Sequence, residues 1–378
     1  MTKRWTAKLT IFCLVCFGCN AGLQKSRDSF MSGTLHNAKR IIYVSHTGDD
    51  KGDGSKARPL ATIQKAIDIA QKGDAVKVEP GTYRENIRLR SHVSLVGSGA
   101  QVTVLTAEAG NILMAENVID VSIEGFTFEG RDACENALFC IARDIFSRTP
   151  RLVPVTFQKN VVKNFVGSGI DAAYQDITVR ENTITGMVED GIRLSHVRAE
   201  VEDNQINFCK RGMSVTQGWA KVINNHVYRC WEIGIHCNYL RSCLIIDNTV
   251  IDPGRYGILS QNLSPVIRGN TVKGASDSGI HCFDEGNNST PRLRGNIITE
   301  NKRSGVSVRG DTLLDMGRDD DWGYNGVWAN GSFDVHNESE IPALAVGNWW
   351  GKPLPEADQF KGVVNYSQPL PEQPILQR

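Results

Sequence analysis

The sequence predicts an all-β solenoid, and two interleaved recurrences carry that prediction. Asparagine returns at Asn160, Asn182, Asn204, Asn225, Asn248, Asn270 and Asn296, about every 22 residues. Eight or nine residues beyond each Asn, a glycine precedes an apolar residue, from Gly169-Ile170 and Gly191-Ile192 to Gly305-Val306. Inside each unit the alternation has period two, as in Gly191-Ile192-Arg193-Leu194, Ala199-Glu200-Val201-Glu202 and Gln205-Ile206-Asn207-Phe208. Alternation of this kind gives short strands with one face inward. Three strands joined by bends close a triangular coil, and only stacking at ~4.8 Å buries a common core. The handedness rule for parallel crossovers makes the product a right-handed single-stranded parallel β-helix. Asn suits the bends, because it tolerates left-handed backbone and its amide bonds from coil to coil.

From the N-terminus, Lys3, Arg4 and Lys8 precede an apolar stretch from Leu9 to Phe17, then Gly18 and Cys19. A run of about nine apolar residues is too short to cross roughly 30 Å of hydrocarbon, so residues 1–19 read as an export signal. Its end is similar to a bacterial lipobox, with Cys16 where an aliphatic residue is usual. Cys19 is therefore the expected lipidation site, with plain secretion as the rival. Residues 20–40 read as a flexible tether, and 41–378 as one β-helix domain: cap 41–75, coils 76–347, C-terminal cap and tail 348–378. The expectation is an exported monomer, either a cell-envelope lipoprotein held to the membrane only by its lipid or a secreted protein.

An open stack needs capped ends. Ile63, Ala66, Ile67 and Ala70 follow a helical stripe with Thr62 as N-cap, predicting a capping α-helix at the front. Trp349 and Trp350 suit a plug at the back. The 42 Lys and Arg balance 42 Asp and Glu, which argues against a nucleic-acid partner, since phosphate binding needs a basic surplus. Of ten cysteines, three fall in the leader. Cys134 and Cys140 are the best local disulfide pair if the compartment is oxidising. Among the seven cysteines outside the leader, no C-x-x-C pair suggests zinc.

The N-terminal segment resembles a known family. Tyr43-Val44-Ser45, Gly48-Asp49-Asp50, Gly52-Asp53-Gly54-Ser55, Pro59, Thr62-Ile63 and Ala66-Ile67 resemble the start of bacterial right-handed β-helix proteins, a DUF1565-like segment. Gly73-Asp74, Val76, Val78 and Pro80-Gly81-Thr82-Tyr83-Arg84-Glu85 continue it, PbH1-type repeats follow, and Asn348-Trp349-Trp350-Gly351 is similar to the family's ending. The resemblance covers residues 42 to about 351 and points to the pectin-lyase-like superfamily. It implies a polysaccharide-linked protein, whether lyase, epimerase, hydrolase or binder, with the glycine-led strands facing substrate.

On that sheet, alternation places outward Asp171, Arg193, Ser214, His236, Leu259, His281, Ser307 and Trp328. Adjoining bends supply Glu189, Asp190, Arg255, Asp277, Tyr174, His196, Arg198, Trp219, Tyr239 and Arg241. A lyase or C5-epimerase must neutralise a uronate carboxylate and remove the neighbouring proton. Arg193 is the candidate for the first task, and His236 or His281 for the second. Asp171, Glu189, Asp190, Ser214, Ser307, Trp219 and Tyr239 are candidate substrate contacts. The leading expectation is lyase or C5-epimerase chemistry on an acidic polysaccharide. The alternatives are a non-catalytic carbohydrate binder or surface scaffold, and a glycoside hydrolase using Asp171, Glu189 and Asp190. The Asn-Thr-Asp and Gly-His-Gly signatures of β-helical polygalacturonases and the Asp-Pro-His-Asp motif of alginate epimerases are absent, and no Asp-Asp falls on the glycine-led strands. Asp315, Asp319, Asp320 and Asp321 crowd one loop as a possible Ca²⁺ site, with a solvated acidic loop as the alternative.

Overall fold

The computed structural model describes residues 33–142 and 154–374, so the leader and Cys19 lie outside the described residues. The chain winds as a parallel β-solenoid of about 12 turns with very few helices. Ile41–Val44 pairs in parallel with Ala75–Val78, which pairs with Ser94–Val96. Val121–Glu124, Val155–Gln158 and Ile177–Arg180 extend the same ladder. The segment expected as a cap over 41–75 thus already contains the first rung.

The glycine-led strands stack in register, placing Ile170, Ile192, Met213, Ile235, Ile258, Ile280 and Val306 one above the next. All seven side chains are buried and belong to one continuous core. Glycine is needed here for close approach. A Cβ on Gly191 would lie 2.5 Å from the Gly212 carbonyl oxygen and 2.7 Å from Ile206.

The asparagines form a ladder. The Asn160 N–H donates to Asn182 Oδ1 at 3.0 Å, and the bond recurs through Asn204, Asn225, Asn248, Asn270 and Asn296. It runs two rungs further, to Asn325 and Asn348. The 29-residue step from Asn296 to Asn325 hides that continuation from a search at one period. The left-handed bend itself falls one residue earlier than expected, at Glu181, Asp203, Asn224 and Asp247. The ladder Asn supplies hydrogen bonds to buried backbone, where an unpaired group would cost about 1–3 kcal/mol.

At the front, Ile63–Ile69 is helical, with Ile63, Ala66 and Ile67 buried and the Thr62 side chain accepting from the Lys65 N–H. Glu85 accepts from the N–H groups of Ile63 and Gln64, and Asp50 from those of Ala61 and Thr62. The acidic Gly48–Gly54 stretch is therefore a turn that holds the cap helix. Residues 33–40 are docked, unlike the tether read from sequence. Gly33–His36 is helical, and Leu35 packs on Ala75 and Val96. Arg40 pairs with Asp74 at 2.8 Å. At the back, Trp350 is buried and meets Phe360 edge to face at 4.8 Å.

Two further expectations are corrected. Cys134 and Cys140 lie on one strand, Cys134–Ile141, with both thiols free. Six residues of extended strand separate their Cα atoms far beyond the ~7 Å a disulfide spans. The thiols that touch are Cys237 and Cys243, with Sγ atoms 3.3 Å apart. The acidic loop is an ion-pair cluster rather than a cation cage. Asp315 pairs with Arg294 and Arg318, and Asp321 with Arg292 and Arg294. Those guanidinium hydrogen bonds hold the Asp321 carboxyl down at about 2. Asp319 accepts from Gln368, and among the described residues no acidic group here forms a metal-ligand set.

Candidate functional site

The outward row exists. Asp171, Arg193, Ser214, His236, Leu259, His281 and Ser307 are consecutive register partners, and His336 and Lys361 follow. Trp328 is not in the row. It sits on Gly326–Trp328, paired with Ile297–Thr299, because the loop after Thr312 displaces the register. Along the row two polar clusters form, at its front and rear.

The front cluster is closed on itself. Asp190 is 0% exposed and takes two bonds from Arg211, 2.6 Å from Nε and 3.0 Å from Nη2. Burial pushes its carboxyl up, and the Arg211 bonds oppose the shift. Glu189 pairs with Lys210 at 3.3 Å. Burial raises Asp171 against the pull of Arg193. His236 lies 3.5 Å from the buried Ser214 hydroxyl, and burial, aided by Arg211, lowers the ring to about 4. Asp190 is thus sealed, whereas Glu189 keeps 40% of its side chain exposed beside Lys210. Arg193 and His236 stand two coils apart, and His281 a further two. Steps of about 10 Å separate their Cα atoms, so any two of them could act on one sugar only with the polymer lying between them.

The rear cluster is open. Tyr256, Asp277, His281, Arg303, His336 and Glu338 wall a pocket of about 30 Å³. A pocket of that size holds roughly one or two waters, so a polymer would lie outside it and present only a small substituent to its mouth. His281 Nδ1 is 2.7 Å from Ser307 Oγ, and that hydroxyl is 2.9 Å from Ser278 Oγ. The imidazole stacks on Tyr256 at 4.8 Å between centroids and 11° between planes. Burial lowers His281 to about 4, although Asp277 acts the other way. Burial, with Asp277, raises the Tyr256 phenol. Arg303 is 54% exposed and loosely held, 3.8 Å from Asp277 and 3.9 Å from Glu338. His336 Nε2 lies 3.3 Å from Glu338.

The sequence reading placed His281 and Ser307 in the row and Asp277 in its bend, but missed Tyr256, Ser278, Arg303, His336 and Glu338 as site residues. Tyr256 and Ser278 share the inward parity of Ile258 and Ile280, and the glycine between breaks the alternation. Applying the same offset before every glycine would have found them. Trp219 and Tyr239 are exposed on the corner that follows the sheet.

Residues 46–211 match the family described as a protein of unknown function (DUF1565), and residues 168–314 match the right-handed beta helix region. No curated protein matches the chain. Among solved structures, it is similar to the A-module of mannuronan C-5 epimerase AlgE4 from Azotobacter vinelandii. Identity there is 17% over 87% of this chain and 100% of that chain, with TM-score 0.61. It is also similar to XylC solved with xylose, at 10% identity over 77% of this chain and 75% of that one, TM-score 0.59. A third is the catalytic unit of a GH87 alpha-1,3-glucanase from Streptomyces thermodiastaticus, at 15% identity over 86% and 69%, TM-score 0.51. At these identities the likeness shows the fold.

Proposed function

Starting from a right-handed parallel β-helix protein, we propose that this chain removes the C5 proton of a uronate unit in an acidic polysaccharide, at the pocket between Tyr256 and Glu338. The observation that carries the reading is His281 held by Ser307 beside the exposed guanidinium of Arg303. A substrate carboxylate would displace the long contacts of Arg303 to Asp277 and Glu338. Neutralising that carboxylate acidifies the adjacent C–H. His281, kept neutral by burial, accepts the proton at Nε2 while Ser307 fixes Nδ1. The Tyr256 phenol, raised by burial, stays protonated and serves as the proton donor. If the proton goes to the leaving O4 as the C4–O4 bond breaks and C4=C5 forms, the outcome is β-elimination. If the Tyr256 phenol instead delivers its proton to the opposite face of C5, the outcome is epimerisation.

The fold supports a polymer substrate, since the open sheet is linear. Its structural neighbours include a mannuronan C-5 epimerase and an alpha-1,3-glucanase, both polysaccharide-acting proteins. Incubation with polyuronates tests the reading. Elimination gives the absorbance of an unsaturated sugar, and epimerisation in heavy water gives deuterium at C5. His281→Ala and Arg303→Ala should each lower either signal about a hundredfold. Polymer bound but unchanged after prolonged incubation would leave a non-catalytic binder. A hydrolytic reading rests on Asp277 and Glu338 flanking one guanidinium, and would release reducing ends without absorbance. Export through residues 1–19 with a lipid on Cys19 is part of the proposal, supported by the leader's charge and apolar pattern. Fatty-acid labelling that persists in Cys19→Ser would refute the lipid.

A further inference from the structure

The corner that follows the glycine-led sheet is built from costly residues. Tyr174, His196 and Tyr239 sit there with φ of 57°, 55° and 50°. Left-handed backbone is uncommon for non-glycine residues and a true outlier for bulky ones. The corner beside the Asn ladder makes the same bend mostly with Asp203, Asn224, Asp247, Gly269, Gly295 and Gly347, which are cheaper choices, but also with Lys159, Glu181 and Tyr324. Tyr174, His196 and Tyr239 share this register position with Gln217 and Asn262, so rings occupy the strained bend at intervals along the corner, and rings kept there call for a reason outside folding. A third corner has a single such aromatic, Phe208.

What these side chains do is visible. Tyr174 is 39%, Trp219 43% and Tyr239 48% exposed. The Tyr174 and His196 rings stack at 4.4 Å. Arg198, on the coil before Trp219, lies 5.9 Å from the indole centroid, and Arg241, entering the coil after, lies 5.3 Å away. Neither guanidinium has a carboxylate at ion-pair distance among the described residues. Beside this stack a groove of about 480 Å³ runs along the rod over four coils, lined by Thr178, Arg198, Trp219, Lys221 and Leu244 among others. That volume is in the range of sites for small ligands.

We propose that this corner is a binding rail for the same acidic polysaccharide, separate from the catalytic pocket. Sugar rings stack on Tyr174 and Tyr239, and carboxylates pair with Arg198 and Arg241, whose guanidiniums the Trp219 indole holds in place. The two tyrosines stand three coils apart, roughly 14 Å, a reach of several sugar units. The polymer class rests on the proposed function, whereas the rail rests on strain, exposure and free guanidiniums.

Two variants test it. Tyr239→Asn removes the ring and relieves the bend, so it should melt higher than wild type and yet bind polyuronate at least tenfold more weakly by calorimetry. A merely structural tyrosine would give unchanged binding. Arg198→Gln/Arg241→Gln should also lose at least tenfold, and should erase the preference for polyuronate over the same polymer with its carboxylates reduced. Unchanged affinity in both variants, or no polyuronate binding by the wild type, overturns the rail. Binding that is lost in the variants of a protein that never turns its polymer over would uphold the rail and sink the catalytic reading alone.

Discussion

Two clusters on one sheet use the same residue types and arrange them differently. Near Asp190 the acids and arginines are matched: a fully buried carboxylate takes a bidentate guanidinium, and the neighbouring glutamate has its own lysine. Near His281 the guanidinium is exposed, its two carboxylates stand almost 4 Å off, and a small pocket opens between them. The contrast separates charge that holds coils together from charge available to a ligand. A buried carboxylate bound twice cannot leave its partner without a large penalty. A guanidinium with two long contacts in water gives up little by exchanging them.

That contrast breaks if the clusters respond alike to mutation. The largest expected effect is on stability at the front. Asp190→Ala strands Arg211 and should cost about 3–5 kcal/mol in urea unfolding, against less than about 1 kcal/mol for Arg303→Ala. Equal losses would show that the rear pair is structural too. Next comes turnover. His281→Ala should reduce it about a hundredfold, or about 2.7 kcal/mol, with Arg193→Ala and His236→Ala within a few-fold of wild type. A dominant effect of Arg193→Ala would move the site forward.

The smallest effect is on pH dependence. Both His236 and His281 sit near 4 in the folded chain, against about 6.5 when free. Between those values the unfolded chain binds protons that the folded one refuses, so stability falls as pH drops from about 6.5 to 4 and is flat above. About 2 kcal/mol per ring should be lost by pH 5. His236→Gln should remove its share of this acid sensitivity without altering turnover, as thermal melts at pH 7 and pH 5 would show. The acid limb of kcat/KM should fall near pH 4 rather than 6.5.

The fold was legible because its signals are periodic. The Asn recurrence and the glycine-led strands each mark a backbone requirement, a ladder hydrogen bond and a close approach, that every coil repeats. The capping helix was legible because Thr62 and a four-residue apolar stripe are local features. The site was only half legible. His281 follows the alternation and was found, but Tyr256 lies across a glycine that reverses parity. Arg303 and Glu338 reach the pocket from bends whose lengths vary, and His336 enters the row only after a loop that no repeat anticipates. Residues 33–40 escaped the sequence reading for a related reason: Leu35 and Ala38 are small apolar signals in a polar stretch, and their docking on Ala75 and Val96 is a tertiary fact.

The most direct test follows C5 protons by NMR while polyuronate is incubated in heavy water with wild type, His281→Ala and His236→Ala. Loss of the C5 signal, by exchange or by elimination, is expected with wild type and His236→Ala and not with His281→Ala. An undiminished rate in His281→Ala, or a loss confined to His236→Ala, would contradict the assignment of chemistry to the rear pocket.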